Sequence, residues 1–455
     1  MAITRRSLVR GLGLGVLGAG ALSACEGGRR GGSRGQTTPP PSAGALVEPE
    51  QPLVIGSIGA SYGRMAKFED GIAIAIDVAR IDVNARWEGL FDQEIVLVER
   101  HVMAAPDEDL APVIQQMAES GVTCVITSID EESLIAAIPS FVEHQMTVID
   151  LFSSGMQVRA EDVQTSNLLV RLAPNDATIA AMYAELALGA SSDRGGAPGT
   201  IAYLSEDTLQ GRSLLSEIER VLNPASGRVV SQQLYAVGDF GDVAARVGAV
   251  LETPPALLVL NGGAEAAPFL SALREATLDE GGRPSVEFPV RVAPWAVIDY
   301  AQEEVAGSLA AESLSTATGF EPGGEITVDH ENMMLNRDAS FLQRGYAYTQ
   351  QGYDAVVIAC LAAQQALSVE GPALAAAIPR VLTGSEDCTD YSACRQVLTT
   401  AVDAGQTATI SYSGRMGDLE LGPRSDARVG QMRTYTWSEA NALEGGSAAG
   451  FEAPA

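Results

Sequence analysis

Residues 52–84 read PLVIGSIGASYGRMAKFEDGIAIAIDVARIDVN, and this stretch decides the fold. Leu53-Val-Ile-Gly-Ser-Ile58 is a short, nearly continuous apolar run, as expected of a strand covered on both faces. Residues 59–64 form a loop. Phe68, Ile72, Ala75, Ile76 and Ala79 then recur at helical spacing and make one buried stripe. A strand, a loop and a helix in this order begin a parallel α/β sheet, and such sheets place ligands at the carboxyl ends of their strands. Taken alone, the unit fits an α/β core with no ligand equally well.

Toward the amino terminus the chain changes character. Residues 1–25 have the zones of an export signal, with Arg5, Arg6 and Arg10 ahead of a short apolar run over residues 11–22. That run is too short to span a bilayer. It ends in Leu22-Ser-Ala-Cys25, which resembles a bacterial lipobox, so Cys25 is the expected lipidation site and the chain is expected to be anchored to the outer face of the cell membrane. Thr4-Arg-Arg-Ser-Leu-Val-Arg10 also resembles a twin-arginine signal, with Leu8 where that pattern usually has Phe. Residues 26–51 are rich in Gly, Ser, Pro and Thr and read as a flexible tether.

Toward the carboxyl terminus strands and helices alternate. Strands are expected at 94–99, 123–127 and 147–150, and helices at 106–121 and 131–144. The helix at 106–121 is read with Asp107, Glu108 and Asp109 in its first turn, where the helix dipole favours them. A second series begins near 174. It has helices at 177–188, 211–222, 239–251 and 267–276, and strands at 200–204, 229–235, 256–260 and 290–292. Residues 319–336 read as polar and irregular, 353–366 and 372–382 as helices, 409–437 as a glycine-punctuated β-ribbon, and 445–455 as disordered.

With 455 residues and 46% hydrophobic composition, two domains of ordinary size are expected. The formal net charge is −29, from 29 Lys+Arg against 58 Asp+Glu. A basic stripe for nucleic acid is therefore not expected, and the acidity reads first as solubility. His101, His144 and His330 lie far apart with no paired spacing, so no metal site is expected, and no cofactor. No GxSxG elbow or triad context supports an exported enzyme. Cys124 and Cys360 sit in apolar settings and read as buried small hydrophobes. Cys388 and Cys394 flank a short polar loop; a local disulfide and a metal or redox pair are both open, the disulfide favoured by export.

The order of several short motifs is more specific than any one of them. Asp82-Val-Asn84 is followed by Phe152-Ser-Ser-Gly155, Arg171-Leu-Ala-Pro-Asn-Asp176, Glu206-Asp-Thr-Leu-Gln-Gly211, Asp239-Phe240, Asn261-Gly-Gly263 and Tyr353-Asp-Ala-Val356. In this order residues 53–437 resemble the type I periplasmic binding proteins, in the branch that binds leucine, isoleucine and valine. The resemblance implies an α/β fold of two doubly wound Rossmann-like lobes joined by a three-strand hinge. Residues 53–173 and 318–408 would form lobe 1, 174–317 and 409–440 lobe 2, and 441–455 a disordered tail.

It further implies an ABC transporter substrate-binding lipoprotein, monomeric and without chemistry. Such a protein captures a small polar solute of amino acid, amide or carboxylate type by cleft closure and delivers it to a membrane permease. A ligand-sensing or scaffold lipoprotein with no transporter is the alternative. The first-lobe loops of such proteins hold a ligand carboxylate, and Ser133, Ser153 and Ser154 match them, with Phe152 packing an apolar part. Glu131 and Glu132 crowd the first loop and would repel an anion if they point inward. In the second lobe Gln210, Ala264 and Glu265 stand where relatives often carry aromatics. Trp295 stands where amino-acid binders keep an acid for the ammonium, and Glu265 is a candidate replacement for that charge. Tyr62, in the opening loop, lies near a further contact position.

Overall fold

The computed structural model describes residues 47–190, 194–302, 307 and 309–453. The export signal, Cys25 and most of the tether lie outside them. The opening stretch forms β1 (Val54–Ala60) and α1 (Ala66–Ile81), and the whole stripe from Phe68 to Ala79 is buried. The helix ends in a π turn over Asp82–Arg86. There Asp82 accepts the Tyr353 phenol at 2.8 Å, and Asn84 exchanges two 2.9 Å bonds with the backbone of Ile95. These bonds explain why an acid and an amide occupy those places: Asp82 satisfies the buried Tyr353 phenol, and Asn84 satisfies the Ile95 N–H and C=O in the segment leading into β2.

The remaining elements follow in order. They are β2 (Val96–Leu97), β3 (His101–Met103), α2 (Ala111–Glu119), β4 (Cys124–Thr127), α3 (Glu131–Glu143), β5 (Thr147–Asp150), β6 (Leu169–Pro174) and α4 (Asp176–Leu188). Next come β7 (Thr200–Glu206), α5 (Leu209–Leu222), β8 (Arg228–Tyr235), α6 (Val243–Glu252), β9 (Leu257–Asn261), α7 (Ala267–Ala276), β10 (Val290–Val292) and β11 (Ala317–Pro322). The last third holds α8 (Val328–Leu335), α9 (Phe341–Arg344), α10 (Thr349–Ala366), α11 (Gly371–Leu382), β12 (Glu386–Cys388), α12 (Tyr391–Asp403), β13 (Ile410–Tyr412), β14 (Glu420–Leu421), β15 (Asp426–Trp437) and β16 (Leu443–Glu452).

The main sheet runs β2-β1-β4-β5-β6-β15-β11-β10-β9-β7-β8. It is parallel through β6 in the first lobe and again from β11 to β8 in the second. β15 joins the two. Its start pairs parallel with β6, Asp426 opposite Arg171, and its middle pairs antiparallel with β11, Met432 opposite Pro322. The chain crosses between lobes after β6, after β11 and along β15, so three strands make the hinge. Every residue of β4, β5, β7 and β9 is buried, as helices on both faces require. α10 is buried along Thr349–Gln364 and forms the centre of the first lobe against α1 and α11. Its Asp354 accepts the Tyr412 phenol at 2.8 Å and the Met416 N–H at 2.7 Å, which fixes the returning chain before it enters the hinge.

Several expectations are corrected. α2 starts at Ala111, after the acidic run, because Glu108 turns back to accept the Ala104 N–H at 3.0 Å and to pair with His101 at 2.6 Å. The strand expected at 94–99 is regular only at Val96–Leu97. The stretch read as irregular at 319–336 holds β11 and α8, the latter capped by the Thr327 hydroxyl. The sequence reading does not include α12, whose first turn is tied to β12 by the disulfide between Cys388 and Cys394. The expected disordered tail is mostly β16, which pairs antiparallel along β15. Its Phe451 ring lies across Gly430, where a Cβ would fall 2.7 Å from the ring. Small residues there let two strands meet closely, and composition alone does not reveal that neighbour.

Candidate functional site

The loops at the carboxyl ends of the parallel strands in both lobes face one cavity of 540 Å³. Tyr62, Glu131, Phe152 and Ser154 are among the residues that line it from the first lobe, and Glu206, Gln210 and Trp295 from the second.

In the first lobe the two serine-bearing loops have carboxylates of their own. Asp130 is the N-cap of α3, and its Oδ1 accepts the Ser133 N–H at 2.9 Å. Its Oδ2 accepts the Ser133 hydroxyl at 2.8 Å and the Tyr62 phenol. Burial, then the hydrogen bond to Asp130, raises the Tyr62 phenol above its ordinary value. In the second loop the fully buried Asp150 accepts the Ser153 N–H at 3.1 Å, the Phe152 N–H at 3.4 Å, the Thr127 hydroxyl at 3.2 Å and the Ser153 hydroxyl. Burial pushes its carboxyl up to about 6. Phe152 leans on Phe68 and Tyr348, with ring centres 5.8 and 5.1 Å away.

Glu131 is buried at the cavity floor, where Oε1 accepts the Val158 N–H at 3.0 Å. Its carboxylate lies so close to Gly155 that a Cβ there would sit 1.6 Å from Oε2. Burial pushes the Glu131 carboxyl up to about 7. Glu132 is exposed on the same rim.

In the second lobe the centre is Asn261, at the end of β9. Its Nδ2 donates to Ser205 Oγ at 2.9 Å and to Gln210 Oε1 at 3.3 Å, and its Oδ1 accepts the Trp295 indole N–H. Arg64 reaches over from the first lobe. Its Nη2 donates to the Asn261 carbonyl at 2.6 Å and pairs with Glu206 at 2.8 Å, and its Nη1 donates to Asn261 Oδ1. Gln210 donates to Asp176 at 3.4 Å, and the Ser213 hydroxyl accepts the Met156 N–H at 2.9 Å. The Arg64 contacts and the Met156–Ser213 bond bring the two rims together, whereas the Gln210–Asp176 bond lies within the second lobe.

Of the expected positions, Tyr62, Phe152, Ser153, Ser154, Gln210 and Trp295 line one cavity. Ser133 sits behind it, within hydrogen-bond reach of Tyr62 and Asp130. Glu265 is not among the lining residues; Tyr235 donates to it at 2.7 Å and the Gly263 N–H at 2.8 Å. Sequence reasoning missed Arg64, Asp130 and Glu206 as site residues. Arg64 is a lone cation in a ligand-facing loop, and Glu206 opens the Glu206-Asp-Thr-Leu-Gln-Gly211 motif.

No protein-family model matches this sequence, and no curated protein matches it. Solved structures match in fold. A leucine-binding protein from Thermotoga maritima superposes with a TM-score of 0.62 at 13% identity, over 87% of this chain and 98% of that one. The branched-chain amino acid transporter substrate-binding protein of Streptococcus pneumoniae, in complex with isoleucine, gives 0.59 at 14%, over 89% and 100%. A solute-binding protein of an ABC transporter from Rhodopseudomonas palustris, in complex with p-hydroxybenzoic acid, gives 0.64 at 12%, over 89% and 98%. The likeness is one of fold, and the fold is that of the type I periplasmic binding proteins.

Proposed function

We propose that this chain, with the type I periplasmic-binding fold, is an extracytoplasmic solute-binding lipoprotein. It captures a small polar solute between its lobes and delivers it to an ABC importer, anchored through Cys25. The cavity of 540 Å³ carries this reading, because loops from both lobes line it and the lobes are joined by three strands. A ligand that touches both rims favours the closed arrangement over the open one, and that difference is the work such a protein does. The solved relatives in complex with isoleucine and p-hydroxybenzoic acid support a solute-binding role and leave the solute class wide. A thermal-shift screen of residues 46–455 against small metabolites tests the reading. A binder raises the midpoint by mass action and shrinks the scattering radius. A chain that never compacts with any metabolite overturns it.

A further inference from the structure

This inference rests on the solute-binding reading and names the class of solute. A helix N-terminus ordinarily welcomes an anion, because its free N–H groups point outward. Here both first-lobe loops are already filled by anions of the chain itself. Asp130 takes the Ser133 N–H and hydroxyl and the Tyr62 phenol. Asp150 takes the Phe152 and Ser153 N–H groups and the Ser153 hydroxyl. A ligand carboxylate finds those donors taken and meets the Asp130 carboxylate in the cavity lining, with Asp150 buried behind it.

The rest of the lining has the opposite preference. Five carboxylates face the cavity: Asp130, Glu131, Glu132, Glu206 and Asp207. The two guanidiniums there, Arg64 and Arg212, are paired with Glu206 and Asp207. Glu131 is 2% exposed, and its Oε2 has no hydrogen-bond partner among the described residues. Tyr62, Phe152 and Trp295 add aromatic rings, which attract a cation stripped of water. The second-lobe acceptors hold a cation already: Glu206 Oε2 and both oxygens of Asn261 converge on the Arg64 guanidinium.

We propose that the cleft takes an organic cation, a small amine or guanidinium compound without a free carboxylate. Its charge sits between Glu131 and the Glu206–Asn261 acceptors, and Arg64 fills the second of these seats until the ligand displaces it.

Isothermal titration of the full chain with agmatine, putrescine and choline, and separately with leucine and benzoate, tests this. At least one amine binds, and leucine and benzoate bind at least about a hundredfold more weakly, which is the discrimination two like-charge loops supply. Arg64→Ala tightens the amine about tenfold, because an internal occupant scales the apparent affinity by the fraction of seats left free. Glu131→Gln and Glu206→Gln each weaken it about tenfold, the scale of one charge-assisted contact. If one variant fails to fold, the other carries that arm. Binding of leucine or benzoate with no amine bound overturns the cation proposal and leaves the solute-binding reading standing. Loss of amine affinity in Arg64→Ala overturns the displacement. Silence toward both series, with an unchanged scattering curve, counts against the cation class and the solute-binding reading together.

Discussion

Glu131 is a carboxylate kept out of water beside a glycine, and two measurable effects follow from that placement. Its folded-state pKa lies near 7, above the ordinary 4.5, so the folded chain binds more protons than the unfolded one between those values. Stability therefore falls as pH rises through this window and recovers as pH drops back toward 5. Asp150 and Asp176, both pushed up to about 6 by burial, add to the same slope. Glu131→Gln keeps an acceptor for the Val158 N–H and removes the buried charge. Urea denaturation near pH 8 is expected to show it more stable by about 2 kcal/mol, with the difference shrinking toward about pH 5. Gly155→Ala should cost about 1–3 kcal/mol, because its methyl overlaps the Glu131 carboxylate. A double-mutant cycle with Glu131→Ala should recover much of that cost; strict additivity would mean the two do not touch.

Among the elements, the junction of β6 and β15 depends on one acid. Asp426 pairs with Arg171 and Arg159, each at 2.7 Å, and Arg171 is fully buried. Burial works against the charge, yet the two guanidiniums hold the Asp426 carboxyl below its usual range. Its contribution is present near neutral pH and is lost as pH falls below the ordinary carboxylate range. Asp426→Ala leaves Arg171 buried without this partner and should cost about 3–5 kcal/mol in chemical denaturation. The disulfide between Cys388 and Cys394 closes a short loop and should contribute about 2 kcal/mol, visible as a lower melting midpoint under reductant. Elements that bury continuous apolar runs, such as β4, β5 and β9, were legible in the sequence because burial on both faces dictates their composition. Element ends were less so. α2 starts late because a glutamate found a backbone N–H, and β16 was missed because glycine and alanine form a strand only when a neighbour supplies the ladder.

At the scale of the whole molecule the lobes are bridged by Arg64, whose side chain is only 18% exposed against Glu206 at 11%. A contact made only when the rims meet biases the unliganded chain toward closure. Arg64→Ala should therefore enlarge the scattering radius of the ligand-free protein, whereas an unchanged radius would mean the hinge strands alone set the angle. The two-lobed architecture was legible in the order of strands and motifs. The electrostatic sense of the cleft was not, because it turns on where two aspartates point. Asp130 and Asp150 fold back onto their own loops, and no spacing rule encodes a side-chain rotamer. That detail makes the cleft's polarity a convertible property. Replacing both aspartates with serine would strip the resident counter-anions and hand a row of vacant N–H groups to whatever acid drifts in. On the cation proposal, a cleft set against acids would then be two substitutions from trapping them.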